Sequence, residues 1–148
     1  MKQVMQANAV AGTGLEGDRA GGYSGSKRQV TLIQSEYLAV VQSFLPAVDV
    51  TPANLRRNLV ISGINLNALV KQVVVIGDVQ MEITGLCHPC KKLEQQLGLG
   101  VFNALRGHGG LTAKILSSLG IEIPPSSMKS FSHENKKNNK SIKYFLIL

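Results

Sequence analysis

Apolar and polar residues alternate through positions 79–84, Val-Gln-Met-Glu-Ile-Thr, as they do along a strand with one buried face. An apolar run at 73–76 precedes it, and Gly77-Asp78 between the two is a turn signal, so a hairpin or meander is predicted. Residues 29–33 read as another strand. Helical spacing follows: Ser35 can cap a helix carrying Glu36, Leu38, Val41 and Leu45 before Pro46 stops it. Residues 51–59 suggest one short helical turn holding Arg56 and Arg57, and Leu93 and Leu97, four apart, mark a helix over 91–97. Beyond it an amphipathic helix is predicted from about Leu111, ended by Gly120, and then a strand at 121–123. The first ten residues read as a short mixed segment compatible with an edge strand. No repeat or heptad recurs.

Length bounds what these elements can build. A chain of 148 residues can bury one real core but not two of ordinary size, so one domain is expected. With 44% hydrophobic and 17% charged residues it is globular in composition rather than disordered. From Pro124 the composition turns to serine, lysine and asparagine, placing the domain at 1–125 and a tail, expected to be flexible, at 126–148. The last seven residues are apolar again and could form an edge strand, an interaction tail or an unpacked remnant. The net charge of +7 is uneven: residues 128–148 hold five lysines and one glutamate (+4), leaving 11 basic and 8 acidic residues (+3) in the body. So mild a surplus would attract a phosphorylated ligand without implying nucleic acid. No signal-peptide pattern and no apolar run of about 20 residues occurs, and two cysteines cannot staple a fold of this size. No membrane association and a reducing, cytoplasmic setting are expected.

The densest chemistry is Thr84-Gly85-Leu86-Cys87-His88-Pro89-Cys90-Lys91-Lys92-Leu93-Glu94, leading from the alternating strand into the helix. Pro89 suits a first helical position, which would place Cys90 in the first turn. Free N–H groups, the helix dipole and the two lysines would favour its thiolate there. Such a sulfur can bind a soft metal, carry sulfur or exchange disulfides. A structural zinc site would need four ligands and a second paired motif, which the chain lacks, and a zinc deaminase would need P-C-x-x-C with an upstream H-x-E. A thioredoxin-like dithiol with a reversible Cys87–Cys90 disulfide is the alternative, since the motif follows a strand and starts a helix. A non-catalytic interaction module is a third reading.

Other segments are weaker. Gly12, Gly14 and Gly17 meet the G-x-G-x-x-G spacing of dinucleotide sites, but the glycine-rich continuation cannot start the helix such sites require. Asp18 and Arg19 beside it are either a functional acid–base pair or a solvated turn. Arg56-Arg57-Asn58 offers forked donors for phosphate or carboxylate, or else a solvated basic face. In Arg106-Gly107-His108-Gly109-Gly110, glycine N–H groups with Arg106 and His108 could cradle an anion, or could simply form a turn with a surface histidine.

Taken in order, Gly14-Leu15-Glu16-Gly17-Asp18-Arg19, Arg28-Gln29-Val30-Thr31-Leu32-Ile33, Asn58-Leu59 and Val75-Ile76-Gly77-Asp78-Val79, then the cysteine segment and Arg106-Gly107-His108-Gly109-Gly110-Leu111-Thr112-Ala113, resemble a small stand-alone MOSC protein. That family is related to the C-terminal domain of molybdenum cofactor sulfurase, and the match runs from about residue 4 to about residue 123. The resemblance implies a mainly β fold with several helices (α+β), a closed or partly open β-barrel. It also implies a pocket for the molybdenum cofactor (molybdopterin), or a sulfur-carrying role linked to a pyridoxal-phosphate cysteine desulfurase. Carried over by position, Cys90 is the characteristic cysteine that ligates molybdenum or carries a persulfide, and Cys87 is a second carrier or loop packing. Arg19, Arg106, His108 and Gly109 would hold the cofactor's phosphate and pterin, with Asn58 as a directed amide. A reductase of this type would act on N-hydroxylated compounds and need an electron-donor protein. Barrel edges left open at either end would call for a partner or for homo-oligomerisation.

Overall fold

The computed structural model describes residues 3–4, 6–18, 25–122 and 143–147. In chain order these form β1 (Gln3–Val4), β2 (Gln6–Val10), β3 (Gly14–Leu15), β4 (Val30–Gln34), α1 (Ser35–Phe44) and β5 (Leu59–Ser62). A 3-10 turn (Leu66–Leu69) leads to β6 (Val73–Ile76), β7 (Val79–Leu86), α2 (Lys91–Leu97), α3 (Val101–Ala104), β8 (Leu111–Ile115), β9 (Leu119–Glu122) and β10 (Lys143–Ile147). One sheet has the order β1-β10-β5-β4-β8-β7-β6 and a smaller one the order β3-β2-β9. The fold is mixed α+β, its long sheet curled as a half-barrel.

Two apolar clusters explain the layers. Alternating residues of β6 and β7 (Val74, Ile76, Met81, Ile83) meet Leu32, Leu59 and Leu111 from the centre of the long sheet and Ala7, Ala9 and Leu15 from the small one, so this core fills the inside of the curl. On the opposite face, Ile33 and Val60 pack with Val41 of α1, Leu93 of α2 and Val101 and Leu105 around α3. Strands β4 and β5 are buried on both faces because α1 crosses over between them and makes them a parallel pair, which is why Val30 to Ile33 is buried at every position, Thr31 included. The other pairings are antiparallel.

Strands β4, β6 and β7 and helices α1 and α2 fall where the pattern put them, whereas β3, β5, the 3-10 turn and α3 lie where no such element was predicted, and four further points differ. Ser35 is the first helical residue rather than the cap, which is Gln34, and its hydroxyl donates to Glu36 instead (3.0 Å). The amphipathic helix expected from Leu111 is β8, a central strand paired on both sides with β4 and β7. Its run Leu-Thr-Ala-Lys-Ile is short and almost wholly buried, a case where periodicity cannot separate a buried strand from a buried helix. The opening residues make the expected edge strand only in part: β1 is the edge strand of the long sheet, whereas β2 is the middle strand of the smaller one. Finally, β10 at the end of the polar tail enters the long sheet between β1 and β5, pairing Tyr144 with Ile61 and Phe145 with Val60. Among the described residues no helix is long and apolar enough to cross a membrane.

Candidate functional site

The cysteine loop leaves β7 through a distortion. The β7–β8 register shifts between Ile83 and Gly85, a bulge that bends and twists the strand just before the loop. Thr84 fixes it, donating its hydroxyl to Lys27 O (2.6 Å) and lying 2.9 Å from Thr112 Oγ1. Three residues on, Cys87 N donates to Gly110 O (2.8 Å), while Cys87 O lies so close to Gly109 that a β-carbon there would overlap it. Cys87 is 2% exposed, and its Sγ accepts a hydrogen bond from Arg28 Nη2 at 3.2 Å. Cys90 behaves oppositely. It is exposed and serves as N-cap of α2 with extended backbone (φ −124°, ψ 152°), its carbonyl accepting from Leu93 N at 3.0 Å. Pro89 therefore precedes the cap instead of opening the helix, and Cys90 stands one position earlier than the first turn predicted for it. Buried Leu93 seats the helix in the core, so the loop is pinned at both ends while His88 and Cys90 face outward.

Facing the loop is the turn over residues 51–58, where Leu55 N donates to Thr51 O (2.9 Å) and Arg57 N to Pro52 O (2.8 Å). Arg56, in a left-handed conformation (φ 58°), stays exposed, but Arg57 turns inward and is only 3% exposed. Its Nε donates to Gly109 O (2.7 Å) and its Nη1 to Leu55 O (2.6 Å). No carboxylate pairs with this guanidinium among the described residues. Burial pushes it below its ordinary pKa, nearby Arg28 and Arg56 push the same way, and the sulfurs of Cys87 and Cys90 oppose them. It remains charged at neutral pH, so its burial costs energy that an anion alongside would offset.

Asn58 is buried next to it and fully engaged. Its Oδ1 accepts from Thr31 N (3.0 Å) and Thr31 Oγ1 (2.9 Å), and its Nδ2 donates to Asp18 Oδ2 (3.0 Å). It acts as a clamp between β4, β5 and the loop after β3. What it presents to the ligand space is Asp18.

These pieces enclose an open groove of about 950 Å³ whose walls include Asp18, Arg28, Arg56, Arg57, Cys90 and Lys92. Among the described residues, four cations face one carboxylate there. Asn58 also lines it. On the other side of the loop is a smaller cavity of about 210 Å³, lined by Cys87, His88, Arg106, Gly109 and Gly110. His88 touches both.

The residues expected to hold one ligand are therefore divided. Cys90 and Asn58 line the large groove, whereas Arg106 and Gly109 line the small one. Gly109 serves close backbone approach and accepts from Arg57. His108 lines neither cavity: its ring packs edge-on to Tyr37 (centroids 5.2 Å apart) and near Phe44 (6.2 Å), with Nδ1 buried and unbonded. The glycine row of 107–110 opens into β8 and not into a helix, so it lacks the helix start an anion cradle would have used. Arg19 lies outside the described residues. Sequence reasoning passed over Arg28 and undervalued Arg57. Each stands two residues before a buried strand, Arg57 turned inward and Arg28 exposed, and nothing local in the sequence separates the two outcomes. Among the described residues no group of three or more His, Cys, Asp or Glu is placed to hold a metal by itself.

Comparisons with known proteins agree with this geometry at the level of the fold. The structure is similar to the YuaD protein of Bacillus subtilis (TM-score 0.72, 15% identity), covering 99% of this chain and 88% of that one. It is similar also to YiiM of Escherichia coli (TM-score 0.65, 18% identity, 79% of this chain and 58% of that one). YiiM of Geobacillus stearothermophilus gives a TM-score of 0.56 at 17% identity, over 65% of this chain and 51% of that one. The chain thus spans most of YuaD but little more than half of either YiiM. No curated protein matches it in sequence. The MOSC domain family model matches residues 18–117, which runs from Asp18 on the groove wall through the cysteine loop to the end of β8, and the chain belongs to the MOSC domain family.

Proposed function

We propose that this MOSC protein binds an anionic ligand in the large groove and uses Cys90 as its reacting sulfur, either ligating the metal of molybdenum cofactor or relaying sulfur as a persulfide. The observation that carries this reading is the exposed Cys90 on a wall shared with Arg28, Arg56, Arg57 and Lys92. The residues fit the cofactor. A phosphate suits forked guanidinium donors, a pterin's N–H groups suit the Asp18 carboxylate, and a thiolate is the soft ligand that a thiophilic metal prefers. The groove is at the roomy end of small-molecule sites. When bound, the cofactor would supply metal redox chemistry or a sulfur acceptor. Arg28, Arg57 and Lys92 would hold the phosphate, Asn58 would keep Asp18 in place, and Leu93 would keep the Cys90 turn seated. On the sulfur-relay arm the donor would be a pyridoxal-phosphate cysteine desulfurase; on the reductase arm an electron-donor protein would serve N-hydroxylated substrates.

The thioredoxin-like alternative has less support. Its motif belongs beside a βαβ unit, whereas here that unit is β4-α1-β5 and the motif follows β7, an antiparallel strand two places away.

Elemental and sulfane-sulfur analysis of anaerobically purified protein beside a Cys90→Ala variant tests the proposal. Molybdenum or persulfide should fall at least about tenfold in the variant, as loss of a direct ligand requires. Equal content in the two proteins refutes the role of Cys90.

A further inference from the structure

Resting on the sulfur-relay arm of that reading, we propose that Cys87 is a resolving thiol, which discharges a persulfide on Cys90 as sulfide and leaves a Cys87–Cys90 disulfide. The two cysteines are placed for unequal tasks. Cys90 is exposed in the groove and open to a sulfur donor, whereas Cys87 is 2% exposed and shielded from one. Arg28 connects them: it lines the groove beside Cys90 and places Nη2 3.2 Å from Cys87 Sγ. A guanidinium N–H aimed at a sulfur in a dry position is the partner a nucleophilic thiolate needs. Buried Arg57 is in electrostatic reach of both sulfurs, so negative charge passing between them stays near cations throughout. The backbone holds both residues: Cys87 through Gly110 O and against Gly109, and Cys90 as the cap of a seven-residue helix, three positions along the same loop.

Loading transfers one zero-valent sulfur from the donor to the Cys90 thiolate, giving Cys90–S–SH. The Cys87 thiolate then attacks the inner sulfur. The new bond is Cys87–S–S–Cys90, the persulfide S–S bond breaks, and its electron pair leaves with the outer sulfur as HS⁻. The outer sulfur is reduced and the two cysteines are oxidised, with no further oxidant. A dithiol reductant resets the pair.

The full-length protein is loaded anaerobically with inorganic polysulfide, freed of excess, and followed by intact-mass spectrometry, sulfide trapping and disulfide mapping. Wild type should gain about 32 Da and then lose it as sulfide while the Cys87–Cys90 disulfide forms. Cys87→Ser and Cys87→Ala should hold the added sulfur at least about tenfold longer, and Cys90→Ser should take up none. Arg28→Gln keeps both thiols and should slow release about tenfold, with Arg28→Lys restoring most of the rate. Mapping the disulfide in wild type decides the matter even where a Cys87 variant fails to fold. Sulfur that loads on Cys90 and stays there equally long in wild type and Cys87→Ala, or leaves without the disulfide, overturns the resolving role and spares the carrier role. No uptake at Cys90 overturns both.

Discussion

Asn58 uses each polar atom of its side chain inside the protein, and its value lies in that engagement. Asn58→Ala would strip the acceptor from Thr31 N and the donor from Asp18, leaving a buried N–H unpaired. A loss of about 1–3 kcal/mol in urea denaturation is expected; a loss under about 0.5 kcal/mol would mean that water replaces the amide without cost. The sequence singled this residue out through its family position but did not show these internal bonds. A side-chain amide serves equally well as a ligand contact or as a strut, and only its neighbours decide which. The same ambiguity affected His108, which packs on α1, and Arg57, which the fold buries while its neighbour Arg56 stays in water.

At the scale of elements, α1 is tied to β5 by one carboxylate. Glu36 Oε1 accepts from Gly63 N (2.9 Å) and Oε2 from Ser35 Oγ. Partial burial raises the pKa of Glu36, but the hydrogen bonds from Gly63, its own N–H, Ser35 and Gln34 together outweigh it and hold the carboxyl below its ordinary value. A carboxyl that binds its proton less readily when folded adds stability above its unfolded value of ~4.3, and that stability is lost as pH falls through the folded value. Glu36→Gln should therefore lower Tm at pH 7, and the gap should shrink as acid protonates the folded carboxyl; a gap of constant size from neutral to acid pH would contradict the assignment. Strand β10 is the second element to test. Ending the chain after Glu122 would remove the partner of both β1 and β5 and bare the edge of β5. A lower Tm and concentration-dependent association in light scattering are expected, because an unpaired apolar edge recruits other chains. An unchanged, monomeric protein would show that β10 adds nothing to the sheet. Neither β10's insertion nor β8's identity was readable from pattern, since both depend on which distant strands offer a free ladder.

For the whole molecule, the net charge matters less than where the fold gathers it. Arg28 before β4, the Arg56–Arg57 pair before β5 and Lys92 on α2 come from separate segments and share one groove, where Asp18 is the acid among the described residues. Millimolar phosphate should raise Tm by several degrees at constant ionic strength, as expected for a ligand in large excess over its dissociation constant. The triple variant Arg28→Gln, Arg56→Gln, Lys92→Gln should lose that response. Because all three side chains are exposed, their replacement should leave the fold intact. An equal rise in both proteins would assign the effect to general salting-out and remove the anion site.

Local pattern was enough for the hairpin of β6 and β7, for the helices α1 and α2 and for the family. Each of these is written in local periodicity or in a contiguous motif. The tertiary structure was needed to show that Cys87 is covered and held by Arg28, that the expected ligand residues fall on two sides of one loop, and that a buried Arg57, without a carboxylate partner among the described residues, forms part of the groove's wall. Those outcomes depend on burial and on charges brought together from separate strands, and neither is a property of any one segment of chain.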